Sequence, residues 1–179
     1  MKKKIIQATE PVEIRLNKFI ANAGICSRRD ADQLILSGKI TVNDQVVQVL
    51  GTKIMPTDKI TYLKKIIQSE KLQYVLLNKP KDFITTTQDP QNRRTVMTLI
   101  EKACVERIYP VGRLDRHTTG LLLFTNDGDL AKRLTHPKYK IKKIYQLEID
   151  KPIIEAHYNE ITAGVHLEDG LASVDHLEI

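Results

Sequence analysis

The sequence predicts an α+β protein in two parts: a small module of two helices and a hairpin, then a larger domain of short strands and helices. Three observations carry this. In the first part apolar residues recur at helical spacing, as Leu16, Phe19, Ile20 and Ala23 and then as Ala31, Leu34 and Ile35. In the second part short apolar runs at 74–77 and 121–124 are bounded by turn signals, as buried strands are. Between them, 64–71 is polar and charged apart from the pair Ile66 and Ile67, so residues 64–72 read as a linker.

The bulk properties agree. A chain of 179 residues suffices for a small domain and a medium one. Cys26 and Cys104 lie far apart, which gives neither a disulfide framework nor a metal-ligand spacing. Only two apolar residues follow the basic start before Gln7, too few for a secretory signal. No run approaches the ~18 apolar residues of a membrane helix. A cytoplasmic location is expected.

Charge is unevenly placed. Residues 1–72 carry a net +6 and residues 73–143 a net +7, whereas residues 144–179 carry −7. Two basic segments before an acidic one suggest a polyanionic partner for the first two, with an unevenly charged solvated surface as the alternative.

Taken in order, residues 1–11 read as a basic tail. A first helix starts after Ile14 and stops at Gly24. Ser27 is placed to N-cap a second helix, with Asp30 in a capping-box-like position and Gly38 at its end. Ile40 and Val42, the turn Asn43-Asp44, then Val46 and Val47 read as a hairpin. Lys59 to Tyr62 adds a strand. Arg28 and Arg29 fall in the first turn of the second helix, where cations oppose the helix dipole. A phosphate backbone would offset that; the alternative is two freely solvated arginines.

In the second part, Tyr74 starts a strand that stops at the turn Asn78-Lys79-Pro80-Lys81. Residues 83–87 are β-branched and strand-like until Asp89-Pro90 breaks them. Thr95 is placed to cap a helix containing Val96, Met97, Leu99 and Ile100. Residues 108–111 lead into the stretch Val111-Gly112-Arg113-Leu114-Asp115-Arg116-His117-Thr118-Thr119-Gly120. Here a carboxylate lies between two arginines in a Gly-bounded loop, directly ahead of a buried strand. It is either a loop acid paired with a neighbouring arginine in water or a carboxylate held in place by a rigid core. The turn at 126–129 lacks the spacing of a calcium loop, and no metal site is expected. A short helix around Leu130 and Leu134 ends before Pro137. Residues 144–149 alternate like a strand with one wet face, 153–161 read as a helix stopped by Gly164, and the residues from Val165 onward form a hairpin. Neither His117 nor His136 has a partner at fixed spacing, so both are taken as loop residues.

Two resemblances sharpen this reading. Arg15-Leu16-Asn17-Lys18-Phe19-Ile20, Gly24, Ser27-Arg28-Arg29-Asp30-Ala31, Gly38 and Val42-Asn43 resemble the α-L RNA-binding module first described in a small-subunit ribosomal protein. That implies a domain at 12–63 that faces structured RNA through Arg15, Lys18, Arg28, Arg29 and Lys39. Leu77-Asn78-Lys79-Pro80, residues 85–90, Gly112-Arg113-Leu114-Asp115-Arg116, residues 120–123, Thr125-Asn126-Asp127-Gly128, residues 134–137 and Lys143-Ile144-Tyr145 resemble bacterial ribosomal pseudouridine synthases of the small-subunit type, a group that also includes large-subunit enzymes.

This second resemblance implies a mainly antiparallel, mixed-sheet catalytic domain at 73–179. It also implies isomerisation of a uridine in ribosomal RNA, large-subunit RNA being favoured, without metal or other cofactor. Asp115 would be the catalytic carboxylate and Tyr145 would stack on the target base, although by itself Tyr145 also reads as a half-buried strand tyrosine. Arg113 would enter the RNA stack or hold phosphate once the base is flipped out. Arg116, Lys79, Lys81, Arg93 and Arg94 are candidate phosphate contacts. The alternative is an RNA-binding protein or ribosome-assembly factor without catalysis.

Such enzymes continue for several tens of further residues, with an Arg-rich motif and a basic partner for the carboxylate. No such motif follows Tyr145, so the catalytic domain reads as truncated and this form as a fragment or inactive. Exposed apolar surface near 165–179 and self-association are expected.

Overall fold

The computed structural model describes residues 12–168 and 170–179. The expected basic tail and Asp169 lie outside the described residues. The chain forms two units, one reaching to Ile141 and the other spanning Lys142–Ile179.

In the first unit β1 (Ile14–Arg15) runs directly into α1 (Leu16–Asn22), and α2 (Arg28–Leu36) follows. The Ser27 hydroxyl accepts the Asp30 amide at 3.2 Å and donates to the Asp30 carboxylate at 2.7 Å. That negative charge in the first turn offsets Arg28 and Arg29. Strands β2 (Ile40–Val42), β3 (Gln45–Val46), β5 (Ile60–Tyr62) and β6 (Lys65–Ile66) form an antiparallel sheet in the order β3-β2-β5-β6, while β4 (Lys53–Ile54) pairs with β1. Helical and strand periodicities converge on one core of Leu16, Ile20, Ala31, Ile35, Ile40, Ile54 and Ile60. The stretch 64–72 differs from the expected linker in its first residues. β6 pairs with β5, and Ile67 packs against this core.

A second core lies under a three-stranded antiparallel sheet, β7 (Tyr74–Lys79), β9 (Gly120–Thr125) and β8 (Tyr109–Pro110), in the order β7-β9-β8. Val75 is opposite Phe124, Leu77 opposite Leu122, and Lys79 opposite Gly120. The two-residue strand period puts these positions on one face. Phe124 and Leu122 are buried there with Val96, Ile100 and Ile108. The Thr125 hydroxyl donates to the Gln73 carbonyl at 2.6 Å, and the Asn126 amide side chain joins Lys71 and Gln73, so the start of β7 is fixed to the end of β9. Asp127 then caps α3 (Gly128–Thr135), accepting the Asp129 and Leu130 amides.

Three expected elements differ. Residues 83–87 form no strand; Ile84 makes one isolated bridge to Thr95, because its amide and carbonyl are taken by Arg94 and Val96. The helix after Thr95 is one 3₁₀ turn, Val96–Leu99, without a side-chain cap from Thr95. Residues 144–149 have no strand partner, and their side chains are exposed.

In the second unit α4 (Glu155–Ala163) ends at Gly164, and β10 (Val165–Leu167) pairs antiparallel with β11 (Gly170–Ala172). Leu167, Leu171, Val174 and Ile179 are exposed. No described helix is long and apolar enough to cross a membrane.

Phe124 is fully buried at the centre of the second core. Phe124→Ala should lower the unfolding free energy by about 3–5 kcal/mol in urea titrations, and a loss below about 1 kcal/mol would contradict this packing.

Candidate active site

Residues 111–119 connect β8 to β9, and glycines with left-handed backbones bound them: Gly112 at φ 78° and Gly120 at φ 134°. A side chain at either position would strain the backbone, so the two glycines fix where the loop leaves and rejoins the sheet.

The loop is held from below. Strand alternation places Lys79 at the end of the apolar row of β7. Its side chain is fully buried. Its ammonium donates to the carbonyl oxygens of Asp115 (2.9 Å), Arg116 (3.1 Å), Thr118 (2.8 Å) and Pro80 (3.1 Å). Burial pushes its pKa below the usual lysine value, while the Asp115 and Asp82 carboxylates pull it back up. The expected phosphate contact through Lys79 is therefore corrected: the side chain is buried and its protons are spent on backbone carbonyls.

Other bonds complete the support. The Thr85 hydroxyl donates to the Leu114 carbonyl at 2.7 Å and accepts the Leu114 amide at 3.2 Å. The Val111 amide donates to the Leu123 carbonyl, the Asp82 amide to the Arg116 carbonyl and the Thr118 amide to the Asp115 carbonyl. Leu114 packs against the second core. With Leu114 turned inward, Asp115 is exposed. Its carboxylate makes no hydrogen bond or ion pair among the described residues, while its main chain is held on both sides.

The two flanking arginines behave differently. The Arg116 Nε lies 3.4 Å from an Asp82 carboxylate oxygen, so its ion pair is with Asp82 rather than with Asp115. Arg113 is exposed. His117 is exposed, with Nδ1 3.7 Å from Asp82. A groove of about 440 Å³ beside the loop is lined by Asp82, Ile84, Asn92, Arg93, Arg94 and Arg116. Lys81 is exposed on the turn after β7. Tyr145 belongs to the second unit and is 61% exposed.

Of the five basic residues expected to face RNA in the first domain, Arg15, Lys18 and Arg28 line a groove of about 540 Å³ that Asp129 of α3 also borders. Lys18 pairs with Asp129 at 2.8 Å and so ties α1 to α3. Arg29 and Lys39 are exposed elsewhere on the domain.

Thr85 and Asp82 are the site residues that sequence reasoning missed. Thr85 was absorbed into an expected strand. Asp82 carried a signal, since a polar residue after a Pro-Lys turn tolerates the left-handed backbone it adopts at φ 70°.

These features can be set beside known proteins. A family model described as RNA pseudouridylate synthase matches residues 73–170, and one described as S4 domain matches residues 14–60. The chain belongs to the RNA pseudouridylate synthase family. An uncharacterized RNA pseudouridine synthase of Aquifex aeolicus is 41% identical over 170 residues, covering 94% of this chain and 68% of the relative. The ribosomal large subunit pseudouridine synthase B of Bacillus subtilis is 43% identical over 156 residues, covering 87% of this chain and 64% of the relative. The chain thus spans about two thirds of these relatives' length. A crystal structure of a pseudouridylate synthase superposes with a TM-score of 0.58 at 28% identity, covering 93% of this chain and 72% of that one. The fold of this chain is α+β with antiparallel sheets, as the sequence predicts.

The loop ahead of the 3₁₀ turn gives a pH dependence. Asp89 is 4% exposed and accepts from the Arg93 Nη2 at 2.6 Å, its Nε at 3.1 Å and its backbone amide at 2.7 Å. The side-chain bonds from Arg93, then its backbone amide, hold the Asp89 carboxyl below the usual carboxylate range. Its folded pKa is thus below its unfolded one. The stability it contributes is complete above the unfolded value of about 3.9 and is lost as pH falls through the folded value. Urea titrations from about pH 5 to 2 should show a shallower acid loss in Asp89→Asn than in the parent; equal slopes would contradict the assignment.

Proposed function

We propose that this chain carries the RNA-binding and catalytic parts of a ribosomal RNA pseudouridine synthase, with Asp115 as the catalytic carboxylate. The observation that carries this is an exposed acid on a braced loop. The Asp115 side chain is exposed while its backbone is fixed by Lys79, Thr118 and, through Leu114, Thr85. Such bracing is what positioning a reacting group requires.

In the reaction the bond from C1′ to N1 of a uridine breaks and one from C1′ to C5 forms. The proton on C5 leaves to solvent and the freed N1 takes one up, so the step is an isomerisation that consumes no oxidant or reductant. An exposed carboxylate cannot reach this bond inside a stacked helix, so the uridine must be flipped toward the loop. The ionised carboxylate then supplies the nucleophile or base. Arg113, exposed two residues before Asp115, is the candidate to fill the space the base leaves or to hold its phosphate. Tyr145 is the candidate for stacking on the uracil.

Large-subunit RNA is the favoured substrate, because the relatives from Bacillus subtilis and Pseudomonas aeruginosa are named ribosomal large subunit pseudouridine synthase B. A cytoplasmic location goes with that substrate. The exposed apolar residues of 165–179 keep self-association within the reading.

Tritium release from large-subunit rRNA labelled at uridine C5 tests the proposal. The chain should release tritium, and Asp115→Asn should lower the rate by about 10³-fold or more while still binding the RNA. Release that persists in Asp115→Asn would sink the assignment. RNA binding without release in the full-length protein would support a non-catalytic binding role instead.

A further inference from the structure

The groove beside the Asp115 loop holds three guanidinium groups and one carboxylate among its lining residues. Its two walls come from different segments, Arg93 and Arg94 from the loop before the 3₁₀ turn and Arg116 from the Asp115 loop. Both walls are fastened to one short piece of chain. The Ile84 amide donates to the Arg94 carbonyl at 3.0 Å, and the Asp82 amide donates to the Arg116 carbonyl at 2.9 Å. The distance between the walls is therefore set by the backbone and not by flexible side chains.

The three arginines are not equivalent. Arg93 is gripped by Asp89 through two side-chain bonds and serves to brace the wall. Arg116 is oriented by Asp82 at 3.4 Å yet remains largely exposed. Arg94 is exposed and makes no ion pair or side-chain hydrogen bond among the described residues, so its donors are available. A fork of planar donors on a fixed wall matches phosphate oxygens better than mobile lysines do. The volume of about 440 Å³ is in the range of small-ligand sites and exceeds what a bare phosphate fills. Arg116, which lines the groove, directly follows Asp115 in the loop, so the groove and the acid share one braced segment.

We propose that this groove is a nucleotide subsite that takes the ribose-phosphate next to the target uridine in the RNA strand, with Arg94 and Arg116 as its phosphate donors and Arg93 as their brace. The inference rests on the function proposed above. It adds where the strand runs: from the Asp115 loop across residues 82–84 toward the loop that carries Arg94.

The test uses the whole chain and a short single-stranded uridine oligonucleotide, titrated at several salt concentrations. Arg94→Gln and Arg116→Gln should each weaken binding by about 5–30-fold and reduce the salt slope by about one, the signature of one lost phosphate contact. Thermal unfolding should be unchanged in Arg94→Gln and lowered in Arg93→Gln, because the Arg93 guanidinium supplies both side-chain bonds to the Asp89 carboxylate. Affinity and salt slope unaltered in both Arg94→Gln and Arg116→Gln would overturn the subsite. So would a loss in Arg94→Gln that Arg94→Lys restores in full, since the groove would then need only a positive charge. The tritium assay with Asp115→Asn judges the proposed reaction separately, so failure of the subsite and failure of the reaction can be told apart.

Discussion

One buried ammonium organises the site. Lys79 has three protons and four carbonyl oxygens within 3.1 Å, three of them in the loop that carries Asp115. A buried charge costs several kcal/mol in desolvation, and here carbonyl dipoles replace the lost water. Those carbonyls in turn have a common donor at the end of β7. The charge and the loop satisfy each other, which converts a polar surface segment into a fixed platform. Strand alternation makes this possible, since the same two-residue period that sends Val75 and Leu77 into the core sends Lys79 beneath the loop.

The same logic extends outward. Thr85 uses both capacities of its hydroxyl on Leu114, and Asp82 holds Arg116 by its backbone amide and its carboxylate. The platform thus fixes the acid and the wall of the arginine groove together. Lys18 and Asp129 tie the S4 domain to α3. Basic side chains are accordingly distributed over two grooves, one beside the acid and one at the junction of α1 and α3. The positive charge of residues 1–143 suits a polyanionic partner.

Much of this was legible in the sequence because periodicity and punctuation are local. The helices after Ile14 and Ser27, the hairpin at Asn43-Asp44 and the strands around Leu76 and Leu122 follow from spacing and turn residues. Asp115 stood out because a Gly-bounded polar loop meets a buried strand there. The fate of Lys79 was not legible. A lysine beside a Pro-containing turn looks like a surface phosphate ligand, and only the pairing of β7 with β9 shows that its ammonium meets carbonyls from residues 36 to 39 positions away. The missing strand at 83–87 has a similar cause. β-branched residues favour extended backbone, but the hydrogen bonds of Ile84 are spent on Arg94 and Val96, not on a neighbouring strand.

The central claim is that the Lys79 ammonium holds the Asp115 loop in place, and amide hydrogen exchange across residues 113–119 in Lys79→Met tests it most directly. The substitution keeps the aliphatic stem and removes the donor. The account predicts a fall in unfolding free energy of about 2–4 kcal/mol, together with faster exchange in this loop than the global destabilisation explains. Loop protection in Lys79→Met equal to that of the parent chain would contradict it.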